Sequence, residues 1–273
     1  MPEREAKVSI FDRGLLFADA VYEGLGVLDG RVVDFKHHMA RLRRSLAELN
    51  MLEPMSEGEF SLMLNQLIER NDVNEGFLYL HITRGTHDRD YLYPDGLKHT
   101  VFAFTQAQHG GGADDAPEAI SMASTPDLRW ARRDVKTTNL LGQVLAKVSA
   151  ESARADEALM LDPEGYVTEG GAVSFFIVRD EVLYARPLHR ELLPGVTRRT
   201  MLQVAQEMDV KVSEARYKME DVFAADEAFV TGASSYIQPV TRVDGRDIGN
   251  GDAGPLTLRL RKAYLKKVRR ELL

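Results

Sequence analysis

The sequence predicts an α+β protein of two parts. Strand-like and helix-like stretches come in runs rather than in strict βαβ alternation. A glycine-rich segment divides the chain near its middle, and 44 % of its 273 residues are apolar, enough for a sizeable core.

Taken in order, Asp29-Gly30 between residues 21–27 and 31–34 predicts a hairpin. Phe35, Met39, Leu42, Leu46 and Leu49 recur at helical spacing. Ser56 with Glu59 forms a capping box that opens a helix running to Ile68. Residues 77–83 and 100–105 are rich in strand formers. Residues 108–117 contain three consecutive glycines and no apolar period, which predicts a flexible linker. The expected organisation is therefore an N-terminal domain over 1–107, a linker over 108–118 and a C-terminal domain over 119–273. Beyond the linker a helix is expected at 140–154, then strands at 157–161, 173–179 and 182–185. Pro194-Gly195 introduces a helix at 197–208; strands at 227–231 and 237–244 and a closing helix at 255–272 complete the chain.

The net charge of -7 argues against nucleic acid as a partner. Positive charge is nonetheless clustered at Arg41, Arg43 and Arg44, at Arg129, Arg132 and Arg133, and in the closing helix, which suits a small anionic ligand or a solvated face. No cysteine is present, so disulfides, thiolate metal sites and cysteine nucleophiles are excluded. No apolar run is long enough to span a bilayer and none reads as a signal peptide, so a cytoplasmic protein without a membrane partner is expected. P-loop, dinucleotide and Gly-x-Ser-x-Gly patterns are missing. His37 and His38 are adjacent, point in different directions on a helix and make a poor metal pair; they read as surface or half-buried, and no metal is expected.

Two short motifs carry the most chemistry, Asp134-Val135-Lys136-Thr137 and Tyr166-Val167-Thr168-Glu169-Gly170. A lysine amine can form a Schiff base with an aldehyde, and a buried carboxylate can keep a pyridine nitrogen protonated. These are residue types that a pyridoxal phosphate enzyme needs; a solvated lysine and a Thr-Glu-Gly turn are the plainer readings. Arg41 can hold a phosphate bidentately or lie on a solvated helix face. Leu193-Pro194-Gly195-Val196-Thr197-Arg198 delivers Thr197 to a helix start, where free N–H groups attract anions or simply take a cap.

An ordered series of motifs resembles the fold-type IV pyridoxal phosphate enzymes. It begins at Phe11-Asp12-Arg13-Gly14 and Phe17-Ala18-Asp19-Ala20-Val21-Tyr22-Glu23. It continues through His38-Met39-Ala40-Arg41-Leu42, Thr83-Arg84-Gly85, residues 136–147, Thr168-Glu169-Gly170, residues 194–198 and Ile237-Gln238-Pro239-Val240. The resemblance implies two α+β domains with pyridoxal 5'-phosphate between them, and a homodimer in which a partner loop helps close each site. It implies Lys136 as the Schiff-base lysine, with Lys147 a rival better suited to a solvated role. It implies Glu169 as partner of the pyridine nitrogen, Arg41, Val196 and Thr197 as the phosphate cup, and Leu193 against the cofactor ring. Gly232 and Ala233 match a loop that elsewhere often brings a hydroxyl to the phosphate; Ala233 has none, which leaves backbone N–H groups.

Within that family, Leu140-Leu141-Gly142-Gln143 and Arg84-Gly85-Thr86 followed by Arg89 look most like D-amino acid transaminases. That resemblance implies Tyr22 and Arg89 at the substrate carboxylate, with Tyr91 where the subfamily has histidine. Gly24, Gly26, residues 171–174 and Tyr236 also depart from the usual pattern, and the chain starts later than its family, either truncated or without a first strand. The implied reaction is ping-pong transfer of an amino group between D-amino acids, such as D-alanine and D-glutamate, and 2-oxo acids. Branched-chain L-amino acid or R-amine transamination is the alternative, and carbon–carbon lysis of aminodeoxychorismate a further one.

Overall fold

The computed structural model describes residues 1–107 and 113–272. The first half contains α1 (Arg13–Phe17), β1 (Ala20–Leu28), β2 (Arg31–Val32), α2 (Phe35–Glu48), α3 (Glu57–Arg70), β3 (Gly76–Thr83) and β4 (Thr100–Ala107). The second contains β5 (Ile120–Pro126), α4 (Leu141–Ser152), β6 (Glu157–Leu161), β7 (Val167–Gly170), β8 (Ser174–Arg179), β9 (Val182–Ala185) and α5 (Val196–Glu207). It ends with β10 (Lys211–Glu214), α6 (Met219–Phe223), β11 (Glu227–Gly232), β12 (Tyr236–Val243), β13 (Arg246–Asp247) and α7 (Pro255–Glu271).

The strands form two sheets. One has the order β2-β1-β3-β4; the other, of nine strands, runs β10-β9-β8-β11-β12-β5-β6-β7 with β13 beside β12. The expected hairpin closes through Asp29 and Gly30, both at positive φ, which a two-residue turn matching the strand twist requires. The second strand of that hairpin is shorter than expected, because α2 starts at Phe35. Ser56 and Glu59 make the capping box. Alternation is clean on β3, where Leu78, Leu80 and Ile82 are buried under α2 and α3 while Phe77, Tyr79 and His81 face the other way.

Two parallel crossovers sit inside the larger sheet. β5 pairs parallel with β6 around α4, and β9 pairs parallel with β10 around α5. Each crossover has a long return from strand to helix; the first carries Lys136, and the second carries Leu193 and leads into Val196 and Thr197 at the start of α5. Thr168-Glu169-Gly170 is a strand, not a turn, pairing with β6.

The two sheets are welded rather than merely tethered. Leu28 and Val33 from the first half share a buried cluster with Phe176, Val204, Phe229 and Tyr264 from the second. Residues 108–112 of the expected linker lie outside the described residues. The segment that follows is docked: Ala113 is buried and its N–H donates to Glu75, while Asp114 takes a bidentate pair from Arg269.

Candidate active site

A cavity of about 370 Å³ lies between the sheets. One wall comes from the smaller sheet and α2, through Tyr22, Gly24, His38, Arg41 and Phe77. The other comes from the two crossover returns and two sheet turns. Thr231 pairs with Ser174 and Gly232 with Tyr236, so the turn after β7 and the turn after β11 reach the same sheet end.

Lys136 is positioned by its own backbone. Its carbonyl accepts from Tyr22 N at 3.0 Å, its N–H donates to Ser45 Oγ at 3.2 Å, and Thr138 N donates to Ala20 O. The return is thus stitched along β1, and Lys136 Nζ stands 4.2 Å from the centre of the Tyr22 ring. Among the described residues no carboxylate pairs with it. Lys147 lines the same cavity but is engaged: its Nζ donates to Asp156 O at 2.9 Å and to Glu157 at 3.1 Å.

Glu169 faces the same space from β7. Arg129 Nη1 donates to its Oε1, and Leu193 N donates to the same oxygen at 3.3 Å. Arg129 is in turn gripped by Asp127 through Nε and Nη2, at 2.9 and 2.6 Å, and Thr168 also donates to Asp127. Burial opposes the charge on Arg129, but Glu169 and Asp127 outweigh it and hold the guanidinium charged above its ordinary range. Burial likewise opposes Asp127, yet Arg129 and Arg133 keep its carboxyl below the usual range. Arg129 is a site residue that the sequence showed only as part of a basic cluster; its lone signal was an arginine two residues from an aspartate.

Arg41 sits on α2 where it meets the start of α5. Its Nε and Nη2 donate to Glu23 at 2.9 and 2.6 Å, and its Nη1 to Pro194 O at 3.1 Å. Gly195 is the N-cap of α5 without a side-chain cap, so the N–H groups of Val196 and Thr197 have no intrahelical partner. A guanidinium beside an uncapped helix start is a receptor for a small anion. His38, read from sequence as surface or half-buried, is instead buried and hydrogen-bonded to Glu23 at 2.7 Å. The reason is tertiary: β1 brings the fully buried Glu23 under α2. Burial would raise Glu23, but Arg41 and His38 overcome it and hold its carboxyl at about 2; burial pushes His38 below its ordinary value.

Leu193, Val196, Thr197, Gly232, Ala233 and Tyr22 all line the cavity with Lys136, Glu169 and Arg41. Beside Ala233, Ser235 Oγ and Thr231 Oγ1 are buried in the wall without a hydrogen-bond partner among the described residues. Arg89 and Tyr91 are not among the lining residues; they lie on the loop between β3 and β4, where Tyr91 is 76 % exposed. No cluster able to hold a metal occurs among the described residues. No helix of the described residues is long and apolar enough to cross a membrane.

The cavity thus joins an amine without an ion-pair partner among the described residues, a buried carboxylate–arginine pair and a guanidinium beside an uncapped helix start. Residues 20–243 match the family model described as amino-transferase class IV. The chain belongs to this family. The D-alanine aminotransferase of Bacillus licheniformis is 34 % identical over 98 % of this chain and 94 % of its own length. A putative branched-chain-amino-acid aminotransferase of Methanocaldococcus jannaschii is also 34 % identical, over 96 % of this chain and 91 % of its own. Among solved structures, a branched-chain amino acid aminotransferase of T.th. with pyridoxamine 5'-phosphate superposes with a TM-score of 0.90. That match is 29 % identical and covers 98 % of this chain and 91 % of the other. As a class IV aminotransferase, the chain has the α+β fold of these relatives, built around the same two sheets.

Proposed function

We propose that the chain holds pyridoxal 5'-phosphate in this cavity and transfers amino groups between D-amino acids and 2-oxo acids. The observation that carries the cofactor reading is the meeting of Lys136 Nζ, Glu169 and the Arg41–α5 anion receptor in one cavity. The donors match the group. Arg41 with the N–H groups of Val196 and Thr197 would hold the phosphate, Glu169 the pyridine nitrogen, and Leu193 the ring. The orphaned hydroxyls of Thr231 and Ser235 stand beside Gly232 and Ala233, in a wall that suits a polar ligand. When bound, the cofactor supplies the electron sink that makes a substrate Cα–H acidic. Lys136 then takes and returns that proton at its Nζ, and the Tyr22 ring holds the amine in position. Arg129 keeps Glu169 in place, so that a carboxylate beside the ring nitrogen would favour its protonated form.

The D-amino acid reading rests on the Bacillus licheniformis relative and on Arg89, a cation for the substrate carboxylate. In this reading a second copy of the chain closes the cavity. It agrees with the exposed loop bearing Arg89 and Tyr91 and with an exposed apolar row on α4, Leu141, Val144, Leu145 and Val148. Residues 1–107 and 119–273 are proposed as the two domains. A second reading, branched-chain L-amino acid transamination, is favoured by the equal identity to the Methanocaldococcus jannaschii relative. Paired D- and L-alanine, glutamate and leucine as donors, with 2-oxoglutarate as acceptor, separate the two. Turnover confined to the L-donors would sink the D-amino acid reading, and turnover without a 2-oxo acid would sink transamination.

A further inference from the structure

The loop over residues 84–99 joins β3 to β4 and has no helix or strand of its own. Loops longer than about 12–15 residues without internal structure are usually either functional or linkers, and the ties that order this one speak against a linker. This one is held at its root by the segment before β1. Arg13 N donates to Gly85 O at 2.9 Å, His87 N to Phe11 O at 3.3 Å, and Asp12 bridges to Thr86. Its middle is held by a single side chain. Arg13 Nη1 donates to Asp90 O at 2.6 Å and to Leu92 O at 3.4 Å, and Nη2 to Tyr91 O at 3.1 Å. Arg13 Nε donates to Asp19 at 2.8 Å, and Arg84 Nε donates to the same Asp19 oxygen, also at 2.8 Å. Tyr93 closes the arrangement, its ring centre 5.0 Å from the Arg13 guanidinium and 3.8 Å from that of Arg84.

The Arg13 side chain is buried, although it carries a charge. Three consecutive carbonyls turned toward one guanidinium leave their side chains to point elsewhere. Tyr91 and Leu92 are accordingly among the most exposed large side chains, and Arg89 packs against Phe17 and Tyr91 just outside the clamp. A planar fork of five donors can serve a carboxylate and three carbonyls at once; an ammonium cannot.

We infer that Arg13 is a positioning residue. By gripping the carbonyls of residues 90–92 it fixes the loop so that Arg89 is presented outward, ready to meet the substrate carboxylate in the cavity of a second copy. The inference rests on the carboxylate role proposed for Arg89. It separates two functions that a sequence reading merges: Arg89 touches substrate, whereas Arg13 never does.

The test uses the holoenzyme and the variants Arg13→Lys, Arg13→Ala and Arg89→Ala, with Tyr93→Leu to loosen the clamp from its exposed side should an Arg13 variant fold poorly. The donors are D-alanine and an R-configured arylalkylamine that lacks a carboxylate. Arg13→Lys and Arg13→Ala should each raise the KM for D-alanine about tenfold or more, with kcat within about twofold and the amine donor unaffected. Amide hydrogen exchange at residues 89–92 should quicken while the cofactor absorbance and affinity stay unchanged. Tyr93→Leu should act in the same direction, but less. Unchanged exchange and KM in the Arg13 variants, with Arg89→Ala still impaired, would overturn the clamp and leave the Arg89 role standing. Parallel loss on both donors together with weakened cofactor binding would also overturn it, by showing a general defect. A KM for D-alanine unaltered by Arg89→Ala would instead remove the carboxylate reading and, with it, the purpose assigned to the clamp, whatever the exchange data show.

Discussion

Each wall of the cavity carries a buried carboxylate held by arginine, and the two are built to different ends. Glu23, on the smaller sheet, is fully buried and engages both oxygens, accepting two bonds from Arg41 and one from His38. Glu169, on the larger sheet, takes both of its bonds from Arg129 and Leu193 on one oxygen, Oε1. Its Oε2 keeps its acceptor capacity among the described residues. A carboxylate with both oxygens engaged is a fixture that aims its partner; one with an oxygen in reserve can serve a ligand. The first therefore positions Arg41 beside α5, and the second keeps an oxygen for a ligand, as the role proposed for it requires.

The two lysines differ in the same way, and here the contrast can be broken most sharply. Lys136→Ala should lower 2-oxo-acid-dependent turnover by about a thousandfold or more, as loss of a positioned proton carrier and nucleophile does. Lys147→Ala, which loses the ties to Asp156 O and Glu157, should stay within several-fold of the parent, as expected of a pair whose lysine is half solvent-exposed. Borohydride reduction followed by peptide mapping checks the assignment, and an adduct on Lys147 would reverse it.

Glu169→Gln sharpens the contrast between the carboxylates. It should leave cofactor bound but slow single-turnover conversion by roughly tenfold to a hundredfold, the equivalent of one charge-assisted hydrogen bond of about 1.5–3 kcal/mol. Stopped-flow absorbance at saturating donor is the measurement, and a rate equal to the parent would refute the role. Arg41→Ala, on the opposite wall, should weaken cofactor affinity by about tenfold while sparing the chemical step in the fully loaded enzyme. Equilibrium titration reads this directly; unchanged affinity would reduce Arg41 to a structural partner of Glu23.

The smallest effect concerns acid stability. The folded carboxyl of Glu23 lies at about 2, below its ordinary 4.5, so the stability it contributes is present above about 4.5 and lost as pH falls through about 2. His38, lowered by burial, acts in the same direction from below its ordinary 6.5, because the unfolded chain protonates first. Glu23→Gln should therefore flatten the decline of Tm between about pH 4.5 and 2 relative to the parent. An identical slope in both proteins would show that Glu23 is not the group responsible.

Most elements were legible because their signals are local. The turn at Asp29-Gly30, the capping box at Ser56 and Glu59, and the period of α2 each depend on residues within about one helical turn. The strands β5, β7, β10 and β13 escaped notice. β7 has only four residues and its Thr-Glu-Gly reads as a turn until β6 supplies a partner. The short helix α6 and the edge strand β10 are likewise too brief to show a period. Lys136, Glu169, Arg41 and Thr197 were recognisable one by one, since they sit in motifs that resemble those of a family, whereas Arg129 of the same cavity was not.

By itself the sequence determined the types of chemistry available: an amine, carboxylates, guanidinium groups and a helix start, in an order that resembles class IV aminotransferases. Only the tertiary structure decided which of these groups are free and which are engaged. Arg129 reaches Glu169 across 40 positions of chain, and Arg41 reaches Glu23 across 18, because strand register and helix docking bring them together. The same packing ties Lys147 to Glu157, buries His38 and keeps Arg89 outside its own chain's cavity. Spacing along the chain encodes helices, strands and turns. Ion pairing inside a protein is set by distance and burial, and those exist only once the two sheets have closed on one another.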